Sequence, residues 1–458
     1  MYNMVFLVLY AAIMVTTTIL FARRGDGKED FHVGNRKIGT LSSALSIAAT
    51  WIWAPALFTS AEKAYSNGVP GLFWFLVPNV LCLLLFIPFA RKIRTEMPDG
   101  ITLSGYMGQK YQSSAVKGVY LFQLGALSVL STSVQLLAGG KVLSLATGYP
   151  LWLMTVILAA IAFSYSAVSG IRASIWTDTL QMVFMLAACA LFVPWALKLN
   201  GGLSAVRLNG VTGEYASLFS GKGAEVFLGF GLPTAVGLFA GPFGDQCFWQ
   251  RAFAVKKDKI GKAFLLGAAF FFIVPFSMGF LGFIAAGTGF VPADSGMVNL
   301  ELIKAILPAW VIVPFMFMLI SGLLSTVDSN LCAAASLTTD VGGGNPRSRG
   351  ILAMLAILGV SIAIANIPGL TVTHMFLFYG TFRACTMLPT ILTLLGVKLR
   401  AKAVVAGILT SLIIGLPVFG YGNLNGDAVC KTAGSLLTVL LSGAVAVLAS
   451  RRREAASE

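Results

Sequence analysis

Charge is what this sequence has least of. Asp, Glu, Lys and Arg make up 11% of the 458 residues, against about 25% in soluble globular chains. That excludes a water-exposed surface over most of the molecule. Histidine is nearly missing: His32 and His374 stand alone, with no metal-ligand spacing around either. A membrane enzyme would need a catalytic cluster, and none is visible. The six cysteines (Cys82, Cys189, Cys247, Cys332, Cys385, Cys430) have no paired spacing and sit mostly in apolar stretches, so they read as core thiols. No Gly-x-x-x-x-Gly-Lys-Ser/Thr occurs, which leaves a nucleotide-driven pump without its phosphate loop.

What is present is apolar. The hydrophobic share is 57% and the mean hydropathy +0.85. A hydrocarbon core is crossed by about 20 consecutive apolar residues. The sparse charges divide the chain into thirteen such spans, near 3–22, 39–61, 69–90, 117–140, 150–170, 176–198, 225–248, 262–286, 306–337, 350–366, 369–396, 402–421 and 432–450. The tenth and eleventh are split at "NIPGL", near Pro368, because residues 350–382 carry no charge and would overshoot the bilayer as one helix.

The charges also orient the chain. In "MYNMVFLVLYAAIMVTTTILFARRGDGK", Arg23 and Arg24 follow the apolar run, the reverse of a signal peptide. With the N-terminus outside and the C-terminus inside, 24 Lys and Arg fall in cytoplasmic segments and seven outside, with Arg383 inside a span. Such a bias is the positive-inside signal. It accounts for the net charge of +14 as topology and not as a nucleic-acid surface. The lipid bilayer is the partner this implies, and the placement expected is a multi-pass protein of the cell inner (cytoplasmic) membrane.

Two spans look unable to stay helical. In "LSSALSIAATWIWAPALFTSAEKAYSNG", Pro55 follows β-branched and aromatic residues and removes a backbone donor. In "LGFGLPTAVGLFAGPFGDQCFWQR", Pro233, Gly237, Gly241, Pro242 and Gly244 crowd one helix, and the unwound part is expected around Pro233, Gly237 and Gly241. These spans lie five apart. Interrupted helices at corresponding positions of two halves mark an inverted-repeat transporter. The reading is an all-α membrane protein in five parts. Residues 1–38 form a leading helix and cytoplasmic loop. Residues 39–200 form the first five-helix repeat, 201–222 an outer loop and 223–396 the second, inverted repeat. Residues 397–458 form two trailing helices and a short cytoplasmic tail.

"SGLLSTVDSN" (321–330) packs oxygens into one depth of an apolar span. Gly322, Ser325 and Thr326 share a helix face. The bland account is helix packing by Ser and Thr. The sharper one is a small cation held by these oxygens and by carbonyls freed in a broken helix.

Four stretches carry a family likeness: "FHVGNRKIGTLSSALSIAATW" (31–51), "YSAVSGIRASIWTDTLQMVFM" (165–185), "GDQCFWQRAFAVKK" (244–257) and "SGLLSTVDSNLCAAASLTTD" (321–340). On these the chain resembles the sodium/solute symporter family, which includes proline, sodium/glucose, pantothenate and urea carriers. The resemblance implies a LeuT-type 5+5 inverted repeat with one leading and two trailing helices, about thirteen in all. It implies Na⁺ held by the carbonyls of Ala49, Ile52 and Gly322 and by the hydroxyls of Ser325 and Thr326. Asp178 matches the family's acid on the inner ion route; alone, it also reads as a helix N-cap.

Asp328 is an ionisable residue inside the membrane, and Arg383 is the residue expected to neutralise it. Asp245, Gln246 and Arg251 are expected to pin the inner end of the seventh span. The solute pocket should lie between the two breaks, with Trp51, Trp53, Phe239 and Phe243 as aromatic candidates and Gln123 and Gln135 as polar ones. "TWIWAPALFTSAEKAYSNGVPGLFWF" and "DQCFWQRA" look most like the urea-type members. The function implied is Na⁺-coupled import of a small polar organic solute, urea or a related nitrogenous compound. A monomer suffices for that. A channel-like facilitator and a transporter-fold sensor without sodium coupling are the alternatives.

Overall fold

The computed structural model describes residues 5–22, 28–209, 213–343 and 345–454. They are helical almost throughout, and the only β pairing among them is an isolated bridge between Ile38 and Val255. Arg23 and Arg24 lie outside the described residues. In chain order the main helices are α1 (Val5–Ala22), α2 (Thr40–Trp51), α3 (Ala54–Leu57), α4 (Thr59–Glu96), α5 (Ser114–Thr147) and α6 (Leu151–Leu199). The second half contains α7 (Leu232–Phe239), α8 (Gly241–Gly244), α9 (Gln246–Ala254), α10 (Ile260–Gly287), α11 (Ile312–Leu337), α12 (Pro346–Ala365), α13 (Val372–Ala384) and α14 (Met387–Leu394). The chain closes with α15 (Ala401–Thr410), α16 (Leu416–Asn425) and α17 (Ala428–Glu454).

Among the described residues ten helical stretches are long and apolar enough to cross a membrane, and Val5–Leu20 is a shorter apolar helix. Two long helices are divided by glycine. Gly68 in α4 and Gly170 in α6 have φ of 58° and 62°, a region costly for any residue with a Cβ. The space is closed as well: a Cβ on Gly68 would meet Tyr215, and one on Gly170 would meet Phe31. The positive-φ glycine thus divides each helix into two segments. The split at "NIPGL" is present, with α12 ending at Ala365 and α13 beginning at Val372.

The first break lies between α2 and α3. Ile52 (φ −84°, ψ 83°) and Trp53 (φ −106°, ψ 179°) leave helical geometry, and Pro55 sits in the first turn of α3, where its missing N–H costs nothing. The second break lies lower than the glycine pattern suggests. Pro233, Gly237 and Gly241 remain helical, and the chain opens at Asp245 (φ −119°, ψ 117°), whose side chain accepts from the Cys247 N–H and caps α9. Proline does not interrupt here because Leu232 and Pro233 open α7 behind a π-turn at Phe227–Gly231, which absorbs the missing donor. The glycines serve close approach instead: a Cβ on Gly237 would lie 2.8 Å from Gly380 Cα of α13.

Candidate cation and solute site

Unwinding at Ile52–Trp53 frees backbone groups inside the protein, where each needs a partner. Two neighbouring helices supply them. Gln135 of α5 accepts the Ala54 N–H through Oε1 at 2.6 Å. Thr326 of α11 brings its hydroxyl to the Thr50 carbonyl (3.2 Å), the Ile52 carbonyl (3.4 Å) and its own helix's Gly322 carbonyl (3.2 Å). The Thr326 hydroxyl thus has three carbonyl oxygens within 3.4 Å. Ile52, Gly322 and Thr326 of the expected set are therefore together, and Thr50 joins them. The Ala49 carbonyl accepts from the Ile52 N–H at 3.2 Å. Among the described residues no group of three or more His, Cys, Asp or Glu could hold a metal ion. The available donors suit a hard ion and not a transition metal.

Ser325 turns toward Asp178, to which it donates through Oγ. Asp178 also accepts from Ser46 Oγ (2.6 Å) and from Arg251 Nη2 (2.9 Å) through Oδ2. It sits well inside the second part of α6, beyond Gly170. The N-cap alternative therefore fails, and the acid is a junction of four segments. Arg251 of α9 completes that junction with bonds to Ser46 (3.1 Å) and Ser329 (2.7 Å), and Ser329 pairs with Thr50 at 2.9 Å. Sequence reading missed Ser46 and Ser329, which are ordinary hydroxyls until the helices are assembled.

Asp245, Gln246 and Arg251 do pin α9. Gln246 bonds Ile101, Leu103 and Ser336, and Asp245 accepts from Tyr379 Oη at 2.6 Å. The expected neutralisation of Asp328 by Arg383 is not formed. Asp328 accepts from Ser166 of α6 at 2.6 Å, whereas Arg383 donates through Nε to the Gly237 carbonyl at 2.8 Å. The Arg383 guanidinium lies over the rings of Trp51 (5.2 Å), Trp53 (5.4 Å) and Tyr379 (4.5 Å), within cation–π range. Its sequence signal was available: Arg383 is the one charged residue between Arg349 and Lys398.

The aromatic candidates separate. Trp51 and Trp53 stack with centroids 6.0 Å apart at the first break, and Trp51 donates to the Asn79 carbonyl. Gln123 of α5 reaches the Gly244 carbonyl beside the second break. Phe243 points away, onto Phe86, Phe89 and Trp249. Phe239 is half-buried against the general core. A separate cavity of about 300 Å³ is lined by Phe58, Glu62, Lys63, Lys141, Thr373 and Lys431, among others.

Two interrupted helices facing each other across an oxygen-lined junction define a solute carrier. Residues 31–341 match the family model described as "Sodium:solute symporter family", and the chain belongs to that family; it is a transporter, not an enzyme. It is similar to the urea-proton symporter DUR3 of Oryza sativa subsp. japonica, 24% identical over 96% of this chain and 68% of that protein. The urea active transporter of Saccharomyces cerevisiae is 24% identical over 86% of this chain and 59% of that one, so the chain spans roughly two thirds or less of these relatives. The sodium/pantothenate symporter of Escherichia coli is 22% identical over 89% and 88%. Among solved structures, a Na⁺-coupled sialic acid symporter in a substrate-bound outward-open state superposes with a TM-score of 0.77 at 14% identity, covering 97% of both chains. A nucleobase-cation-symport-1 family transporter in a closed conformation gives 0.59 at 15%. The fold is that of the LeuT-type transporters.

Proposed function

We propose that this protein is a secondary active symporter that couples Na⁺ entry to uptake of a small polar organic solute by alternating access. Urea or a related nitrogenous compound is the leading solute, supported by the urea-carrying relatives. The observation that carries the cation is the Thr326 hydroxyl among the carbonyls of Thr50, Ile52 and Gly322. With Ile52, Gly322 and Thr326, the Ala49 carbonyl and the Ser325 hydroxyl make up the five proposed ligands, and Ser325 Oγ leaves Asp178 to reach the ion. One charge moving down about 100 mV yields about 2.3 kcal/mol, and a tenfold gradient adds about 1.4 kcal/mol. Together they support roughly 500-fold accumulation of a neutral solute.

A ligand shifts an equilibrium only by its differential affinity for the two states. Cation binding bridges α11 to the break between α2 and α3, so it favours the state in which these oxygens meet. Asp178, at the same junction, is the proposed way out for the ion toward the cytoplasm. The proposed topology has thirteen crossings, the ten long helices, α1 and the two interrupted segments, with the N-terminus outside and the C-terminus in the cytoplasm of a cell's inner membrane. The site is built within one chain, so a monomer suffices.

A second reading, proton coupling, has an observation of its own: Asp328 is fully buried, and its Oδ2 has no hydrogen-bond partner. Uptake of labelled urea into proteoliposomes separates the two. An inward Na⁺ gradient at equal pH should drive accumulation under the first reading. Accumulation driven only by an inward proton gradient would establish the second.

A further inference from the structure

Arg383 is fully buried in α13, and its Nη1 and Nη2 have no hydrogen-bond partner. Among the described residues no carboxylate forms an ion pair with it. Its Nε is held by the Gly237 carbonyl, and its face is held by Trp51, Trp53 and Tyr379. The terminal donors are thus fixed in direction yet unspent, and leaving such donors buried and unused is costly.

The neighbouring groups are open in the same way. A Cβ on Gly244 would stand 2.7 Å from Arg383 Cβ and 3.2 Å from Gln123 Nε2, so Gln123 and Arg383 flank one glycine. Gln123 spends Nε2 on the Gly244 carbonyl, and its Oε1 has no partner. Only the nitrogen can donate to that carbonyl, so the free end of Gln123 is an acceptor. Trp53, whose ring lies under the Arg383 guanidinium, also has an unpartnered Nε1.

We infer that Arg383 and Gln123 form the polar end of the solute site and take a planar carbonyl flanked by N–H groups, the chemistry of urea and of small primary amides. The guanidinium fork donates to the carbonyl oxygen, Gln123 Oε1 accepts from the N–H, and the tryptophan rings cover the flat face. A carboxylate offers Arg383 its oxygens but leaves Gln123 unmet. A guanidinium ion has the same flat shape and offers Arg383 no acceptor. This inference rests on the solute-carrier reading and deepens it.

The test uses the full chain in lipid nanodiscs, with binding of labelled urea and labelled acetamide measured with and without Na⁺. Urea and acetamide should bind, with acetate and guanidinium competing at least tenfold less well. Arg383→Lys keeps a charge without the fork and should weaken both carbonyl probes at least tenfold. Gln123→Leu should weaken urea at least tenfold and leave acetate unchanged. Monodisperse elution and an unchanged helical spectrum establish that the variants fold; if they do not, the wild-type series alone decides. Absence of urea and acetamide binding, equal competition by guanidinium, or unchanged affinity in Arg383→Lys overturns the inference. Sodium dependence is read separately: Arg383-dependent binding indifferent to Na⁺ would sink sodium coupling and keep the inference.

Discussion

Arg251 donates to Asp178 at 2.9 Å with both side chains withdrawn from solvent. The pair ties α9, below the second break, to α6, and its serine partners extend the tie to α2 and α11. Breaking a buried pair by removing one partner costs about 3–5 kcal/mol, because a charge is left uncompensated. Arg251→Ala should therefore lower the thermal midpoint of the purified protein by several degrees. The double variant Arg251→Met with Asp178→Asn should recover part of that loss. A double variant no better than the single one would mean the pair is not the source of the loss.

The hydroxyls of Ser325 and Thr326 should set the sodium dependence. Removing both (Ser325→Ala with Thr326→Ala) should raise the sodium concentration for half-maximal uptake at least tenfold. Thr326→Ser keeps the oxygen and should be mild. Ser133→Ala is a suitable control, since Ser133 bonds back to the Val129 carbonyl of its own helix. Unchanged sodium dependence in the double variant would make these hydroxyls packing groups.

Gly237 and Gly359 should respond oppositely to alanine. A Cβ on Gly237 meets the backbone of Gly380, which cannot yield locally. Gly237→Ala should separate α7 from α13 and destabilise the protein by about 1–3 kcal/mol, the usual cost of overpacking. Gly359 faces open space on α12, so Gly359→Ala should stabilise by up to about 1 kcal/mol through helix propensity. Thermal midpoints of the two variants, measured side by side, check this.

The proposed topology is checked by labelling. A cysteine placed next to Met1 should react with an impermeant maleimide in intact cells, and one placed after Arg451 should react only after lysis. The reverse pattern would overturn the orientation.

The outcome separates what a sequence holds from what assembly decides. Charge scarcity, apolar runs, the glycine and proline clusters and the oxygen-rich "LLSTVDSN" are local properties, and each sits on one helix or at its end. They sufficed for the membrane class, the first interrupted helix and the family. The partners of Asp178 and Arg383 were not legible. In a soluble helix the polar face marks the side that meets water and so gives the helix its rotation. In α6, α11 and α13 the polar residues lie buried among apolar ones and no face is marked by contact with water, so the pattern gives the rotation little phase. Packing alone turned Arg383 toward Trp51 and Trp53 and away from Asp328. It also turned Phe243 onto Phe86 and brought Ser46, from a distant segment, to the carboxylate of Asp178.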